Sequence, residues 1–101
     1  MTTLSAIPVE QAKQAALFLR GLANEHRLQI LCQLAGGEKN VGELLENSTL
    51  SPSSFSQHLA VLRQQDLIQF RKQAQTLFYS IKDQDILLFI QQLKDKFCPD
   101  L

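Results

Sequence analysis

Cys32, Cys98, His26 and His58 are the side chains with the most chemistry to offer in this sequence, and their spacing excludes most of it. A thiol enzyme needs its cysteine at a helix N-terminus, in a Cys-x-x-Cys pair or beside a cation, where the thiolate is stabilised. Cys32 falls mid-helix on an apolar stripe, Cys98 follows a helix end, and no Cys-x-x-Cys occurs. A closed zinc site wants four convergent nitrogen or sulfur ligands. His26 and Cys32 are turned about 600° apart along a helix, onto different faces, so no metal is expected. Taken singly, Cys32 reads as a small core residue and Cys98 as an incidental thiol at a frayed end. They stand 66 positions apart, so only tertiary structure can bring them together. The four glycines fall in no phosphate-binding pattern. No cofactor and no enzyme activity are expected.

A second set of residues suits contact with nucleic acid. The formal net charge is +0, yet between Gln57 and Lys82 the charges are Arg63, Arg71, Lys72 and Lys82 against Asp66 alone, a local +3. A charge run of this kind is usually just a solvated face, so it counts only with its setting. A helix starting at Pro52 turns Phe55, Leu59 and Leu62 to the core and Ser53, Gln57, Ala60 and Gln64 outward, with Ser54 and Ser56 on the flanks. Small hydroxyls let a backbone approach closely, and Gln57 suits a bidentate contact with adenine or a bond to phosphate oxygens. Capping and solvation are the plainer roles for the three serines. His58 lies at the edge of the buried face, as a core-edge residue or a DNA contact. Arg71, Lys72 and Gln73 sit where they can reach flanking phosphates or the minor groove, contacts that position more than they specify.

The elements that must carry these residues are legible from caps and periodicity. Residues 9–22 read as a helix, with Ala12, Ala15, Ala16 and Leu19 at helical spacing. Asn24 caps a second helix from Glu25 to Ala35, on which Leu28, Leu31, Cys32 and Ala35 form a stripe, ended by Gly36-Gly37. Asn40-Val41-Gly42-Glu43 resembles a capping box for a short third helix through about Asn47. Ser51 as N-cap, Pro52 at the first helical position, and a Leu50–Phe55 staple open the fourth. The short link between the third and fourth helices, Ser48 to Leu50, forces a steep crossing, so residues 41–64 read as a helix-turn-helix. Residues 67–82 follow as a two-stranded hairpin wing, with Lys72-Gln73-Ala74-Gln75 as its polar tip. Asp83 caps a last helix over residues 83–97, on which Ile86, Phe89, Ile90, Leu93 and Phe97 form a stripe widened by Leu87 and Leu88. So broad an apolar face at a chain end exceeds what one small domain covers, so the first and last helices are expected to form a homodimer interface.

The fold class that follows is mainly α: a single winged helix-turn-helix domain over residues 1–101, with about five helices and a two-stranded wing. A length of 101 residues leaves no room for a second core, and 45% hydrophobic with 20% charged residues is ordinary globular composition. No apolar run approaches the roughly 18–20 residues of a membrane span, and Met1 to Ala6 lack the basic start of a signal peptide. These features point to the cytoplasm and to no membrane partner, and two cysteines there are free thiols or a switch.

From Gln14 to Pro99 the sequence resembles the ArsR family of dimeric winged-helix repressors. The resemblance rests on the stretch from Leu22 to Leu31, on Val41-Gly42-Glu43-Leu44, on the stretch from Leu50 to Arg63, and on a wing running from Asp66 through Ile81. It implies binding to an inverted-repeat operator in double-stranded DNA through Ser53, Ser54, Ser56, Gln57 and His58, with Arg71, Lys72 and Gln73 at the wing. Metal-sensing members carry cysteines in the third helix or Asp and His pairs in the last, and this chain has neither. Ile30-Leu31-Cys32 and Phe97-Cys98-Pro99 match instead the HlyU/BigR-like branch of dithiol sensors of reactive sulfur or oxidants. That resemblance implies a redox switch of Cys32 and Cys98 with a small oxidant or persulfide as inducer. A metal-responsive or ligand-independent regulator, or an interaction module on the same fold, are the alternatives.

Overall fold

The structure is a computed structural model that describes residues 6–100. Met1 to Ser5, most of the stretch read for a targeting signal, lie outside them, as does Leu101. The elements run α1 (Val9–Leu22), α2 (Glu25–Ala35), β1 (Lys39–Asn40), α3 (Val41–Glu46), α4 (Pro52–Gln64), β2 (Ile68–Gln73), β3 (Thr76–Ile81) and α5 (Gln84–Phe97). Among the described residues no helix is long and apolar enough to cross a membrane.

Local hydrogen bonds set the helix starts. Asn24 Oδ1 accepts from the backbone N–H of His26 at 2.9 Å and of Arg27 at 3.1 Å, satisfying two of the donors α2 would leave orphaned. Asn40 and Glu43 complete a reciprocal capping box at α3, with both bonds 2.9 Å. Ser51 caps α4 and Asp83 caps α5 by accepting from the N–H three residues on. Helix α1 has no side-chain cap, and only Gly21 and Leu22 of it are buried.

One core joins the helices and the strands β2 and β3, with most of α1 and the two residues of β1 left outside it. Leu31, Leu44, Leu62, Leu67 and Ile90 lose all contact with solvent, and Phe55 and Ile30 nearly all. On α2 the buried set is Ile30, Leu31 and Leu34, while Leu28, Cys32 and Ala35 of the expected stripe are only partly covered. The thiol of Cys32 therefore sits at the margin of the core.

The sheet departs from the expected hairpin in two respects. It has three strands in the order β1-β3-β2, because Lys39 and Asn40 pair antiparallel with Tyr79 and Phe78. A strand of two residues shows no period of two, and the partner that makes it a strand lies some forty positions away. The tip is also tighter than expected: Lys72 pairs with Leu77 and Gln73 with Thr76, leaving Ala74-Gln75 to turn the chain. Ala74 adopts φ 56°, a left-handed backbone uncommon for a residue with a Cβ.

Candidate nucleic-acid interface and thiol cleft

Helix α4 buries Phe55, Leu59 and Leu62 and turns Ser53, Ser56, Gln57, Ala60 and Gln64 to solvent. The outward face expected from periodicity is the face the structure exposes. Within it the hydroxyls differ. Ser51 Oγ accepts from Ser54 N–H at 3.3 Å, donates to Ser54 Oγ at 3.2 Å, and lies 3.3 Å from Ser53 Oγ. Ser53 and Ser54 thus take part in the cap, whereas Ser56 and Gln57 stand one turn further on in open solvent. The helix N-terminus supplies a partial positive charge beside them.

His58 is half-buried and tied to α2. Its Nδ1 lies 3.4 Å from Nη1 of Arg27, and its ring centroid is 5.6 Å from that of His26. Burial, then the Arg27 charge, then His26, hold its imidazole below its ordinary value of 6.5, favouring the neutral ring. The sequence placed the two histidines on separate elements, and only the crossing of α2 and α4 makes them neighbours. Among the described residues no three His, Cys, Asp or Glu side chains gather where one metal ion could be held.

At the wing, Arg71, Lys72 and Gln73 are all exposed, but they are not equivalent. Glu38, just before β1, receives two hydrogen bonds from Arg71, from Nε at 2.9 Å and from Nη2 at 2.8 Å. Arg71 Nη1 donates to Gln73 Oε1 at 2.8 Å, and its guanidinium carbon lies 4.6 Å from the Phe78 ring centroid. This pairing lowers the Glu38 carboxyl and raises the Arg71 guanidinium relative to their ordinary values. Lys72 forms no ion pair among the described residues. Arg63, at the end of α4, stacks over Phe70 with 4.4 Å from its guanidinium carbon to the ring centroid. Sequence reading missed Glu38, because nothing local marks a residue whose partner is 33 positions away.

The two cysteines line one cleft of about 320 Å³ where α5 crosses α2. Leu28 and Gln29 form one side, Asn47 another, and Lys94 stands among them. Cys32 is half-buried, and this desolvation pushes its thiol above the ordinary value, against the opposing pull of Lys94. Cys98 is exposed and ends α5, its N–H donating to Lys94 C=O at 2.7 Å.

Comparison with known proteins then places the chain. The model of the family described as bacterial regulatory protein, arsR family, matches residues 24–69, from the cap of α2 into β2. Vibrio cholerae HlyU, described as a transcriptional activator, is 43% identical over 89 residues, covering 88% of this chain and 82% of HlyU. The chain belongs to the ArsR family of bacterial regulatory proteins. The Escherichia coli transcriptional regulator YgaV is 40% identical over 100 residues, covering 98% of this chain and all of YgaV. The solved structure of V. cholerae HlyU superposes with a TM-score of 0.86 at 42% identity, over 90% of this chain and 99% of that one. A homodimeric winged helix-turn-helix DNA-binding domain from Mycobacterium bovis superposes with a TM-score of 0.77 at 26% identity, over 91% and 87%. The winged helix-turn-helix expected from the sequence is therefore the fold of this ArsR-family regulator, and the relatives compared are described as regulators.

Proposed function

We propose that this ArsR-family chain is a transcriptional repressor that binds an inverted repeat in double-stranded DNA as a homodimer and releases it when Cys32 and Cys98 are joined. Helix α4 would enter the major groove with Ser56 and Gln57 foremost, supported by Ser53 and Ser54, while Lys72 and Gln73 of the wing flank it and Arg71 stands beside them paired with Glu38. Apolar residues left in solvent on α1 and α5 support the dimer: Val9 and Phe97 are each 71% exposed, and Leu17, Leu19 and Leu88 about half. Covering that surface with a second copy would set two recognition helices about one turn of DNA apart, ~34 Å.

The observation that carries the switch is that both cysteines line one cleft at the end of α5, a helix that also bears part of the proposed dimer surface. Cys98, being exposed, reacts first, and the half-buried Cys32 resolves. With a peroxide, the Cys98 thiolate takes one oxygen as sulfenic acid and releases hydroxide. The Cys32 thiol then displaces that oxygen, so two thiols and one hydrogen peroxide give a disulfide and two waters. Two sulfane-sulfur equivalents would instead join the two thiols as a trisulfide with release of one hydrogen sulfide, a longer link suited to Cα atoms beyond the ~7 Å reach of a simple disulfide. Either link draws the end of α5 toward α2 and alters the dimer surface. A hundredfold loss of affinity needs a difference of only ~2.7 kcal/mol between states.

Gel shifts on reduced, peroxide-treated and persulfide-treated protein, with intact masses of the same samples, test this. Reduced protein is expected to bind tightly and the crosslinked form to release, while Cys32→Ser and Cys98→Ser bind DNA and ignore the inducer. A mutant that still responds fully refutes the thiol pair. HlyU being described as an activator favours one further arm: a reporter assay separates blocking of polymerase from displacement of another DNA-bound protein.

A further inference from the structure

Arg27 stands in the stretch Asn24-Glu25-His26-Arg27 that opens α2, and neither DNA contact nor the thiol cleft uses it. From α2 its guanidinium nonetheless reaches two other elements, α1 and α4. Nε donates to Gly21 C=O at 2.7 Å and Nη2 to Arg20 C=O at 3.1 Å, so the fork closes on the last turn of α1. Arg20 C=O also accepts from the capping N–H of Ala23 at 3.2 Å, and a cation at this helix end is favoured by the helix dipole. The remaining nitrogen, Nη1, lies 3.4 Å from His58 Nδ1 on α4.

The chemistry of that third contact is one-sided. An arginine is only ever a donor, so His58 must present a lone pair at Nδ1 and carry its proton on Nε2. His58 then serves as the receptor for a brace and not as an independent contact. A second close approach lies beside it: Gly21 is buried, and a Cβ there would collide with Gln65 Oε1 and come within 2.8 Å of Leu67 Cδ1. The end of α1 thus abuts the end of α4 as well as the His58 turn.

We propose that Arg27 is a positioning residue for DNA binding, fastening the C-terminus of α1 to His58 on α4 so that the seating of α1 sets the presentation of the recognition helix. This rests on the reading that α4 enters DNA and that α1 belongs to the dimer interface. A planar fork reaches three acceptors in fixed directions, which a lysine ammonium on a flexible stem does not. Arg27→Lys therefore keeps the charge and loses the geometry.

The test uses the full-length reduced protein, with anisotropy titrations on its inverted-repeat operator, on the same half-sites with the spacer lengthened by two base pairs, and on random duplex. Wild type is expected to prefer the native spacing strongly. Arg27→Lys should lose ten- to hundredfold on the native operator, keep its affinity for random duplex within twofold, and distinguish the two spacings far less. His58→Asn, which offers Oδ1 near the place of Nδ1, should retain the spacing preference, whereas His58→Leu should lose it. These two variants keep the proposal falsifiable should Arg27→Lys fold poorly. Nitrogen-15 NMR on the DNA-free wild type should show His58 neutral with its proton on Nε2. Equal losses on operator and random duplex, an undiminished spacing preference in Arg27→Lys and His58→Leu, or a His58 proton on Nδ1 overturns the proposal alone. Wild-type protein that binds no operator overturns the functional reading along with it.

Discussion

Glu38 is expected to restrain DNA binding, and its removal gives a quantity that can be worked in advance. Its carboxylate takes two of the hydrogen bonds of Arg71, at 2.9 and 2.8 Å, so one wing cation per protomer is already neutralised. A phosphate reaching Arg71 would meet Glu38 beside it. In Glu38→Ala the guanidinium keeps its bond to Gln73 and its place over Phe78, and so remains directed along the wing. Each phosphate contact contributes about 0.9 to the slope of log affinity against log salt, so the two freed arginines of the proposed dimer steepen that slope by about 1.8. Lowering salt fourfold, from about 200 to about 50 mM, should then strengthen Glu38→Ala roughly 12-fold more than wild type. Anisotropy titrations over that salt series measure it, with Arg71→Ala and the double mutant closing a cycle. Arg71→Ala alone should change the wild-type slope little. A Glu38→Ala slope equal to wild type, or a gain that persists in the double mutant, refutes the reasoning, the latter by showing a general charge effect.

Gln57→Ala should cost ~1–3 kcal/mol on the specific operator if Gln57 reads a base, and equal losses on random DNA in the same titrations would count against readout. Leu62→Ala empties a fully buried position under the recognition helix and should cost ~2–5 kcal/mol in chemical denaturation. For His58, burial, Arg27 and His26 favour the neutral ring in the fold, so the unfolded chain takes up the proton first as pH falls. That contribution to stability is fully present above the ordinary value of 6.5 and lost as pH drops through the lowered folded value. Melting curves of His58→Asn should lose that part of the acid dependence, and an unchanged pH profile would contradict the assignment.

Much of this architecture was legible in the sequence because its signals are local. The caps at Asn24, Asn40, Ser51 and Asp83 each act within three residues, so cap and helix start are written side by side. The exposed face of α4 follows from a 100° turn per residue applied to a helix whose first residue Pro52 marks. The sheet was legible only in part: β2 and β3 alternate, but β1 is a strand only because β3 lies beside it. The site divides in the same way. Residue types on α4 and the wing announced a surface suited to DNA, yet which wing cation is free was decided by Glu38, 33 positions from Arg71. Periodicity placed His58 at the edge of a buried face; its partner Arg27 comes from 31 positions earlier. Cys32 and Cys98 were two unrelated thiols by spacing alone, and it took the crossing of α5 over α2 to make them line one cleft. The apolar residues of α1 show the limit most plainly. Hydrophobic spacing says that a face should be covered, and burial in the folded chain shows that its own core leaves Val9, Leu17 and Leu19 in solvent. Sequence determines what a segment prefers over a few residues, while which distant group meets it depends on how the whole chain packs.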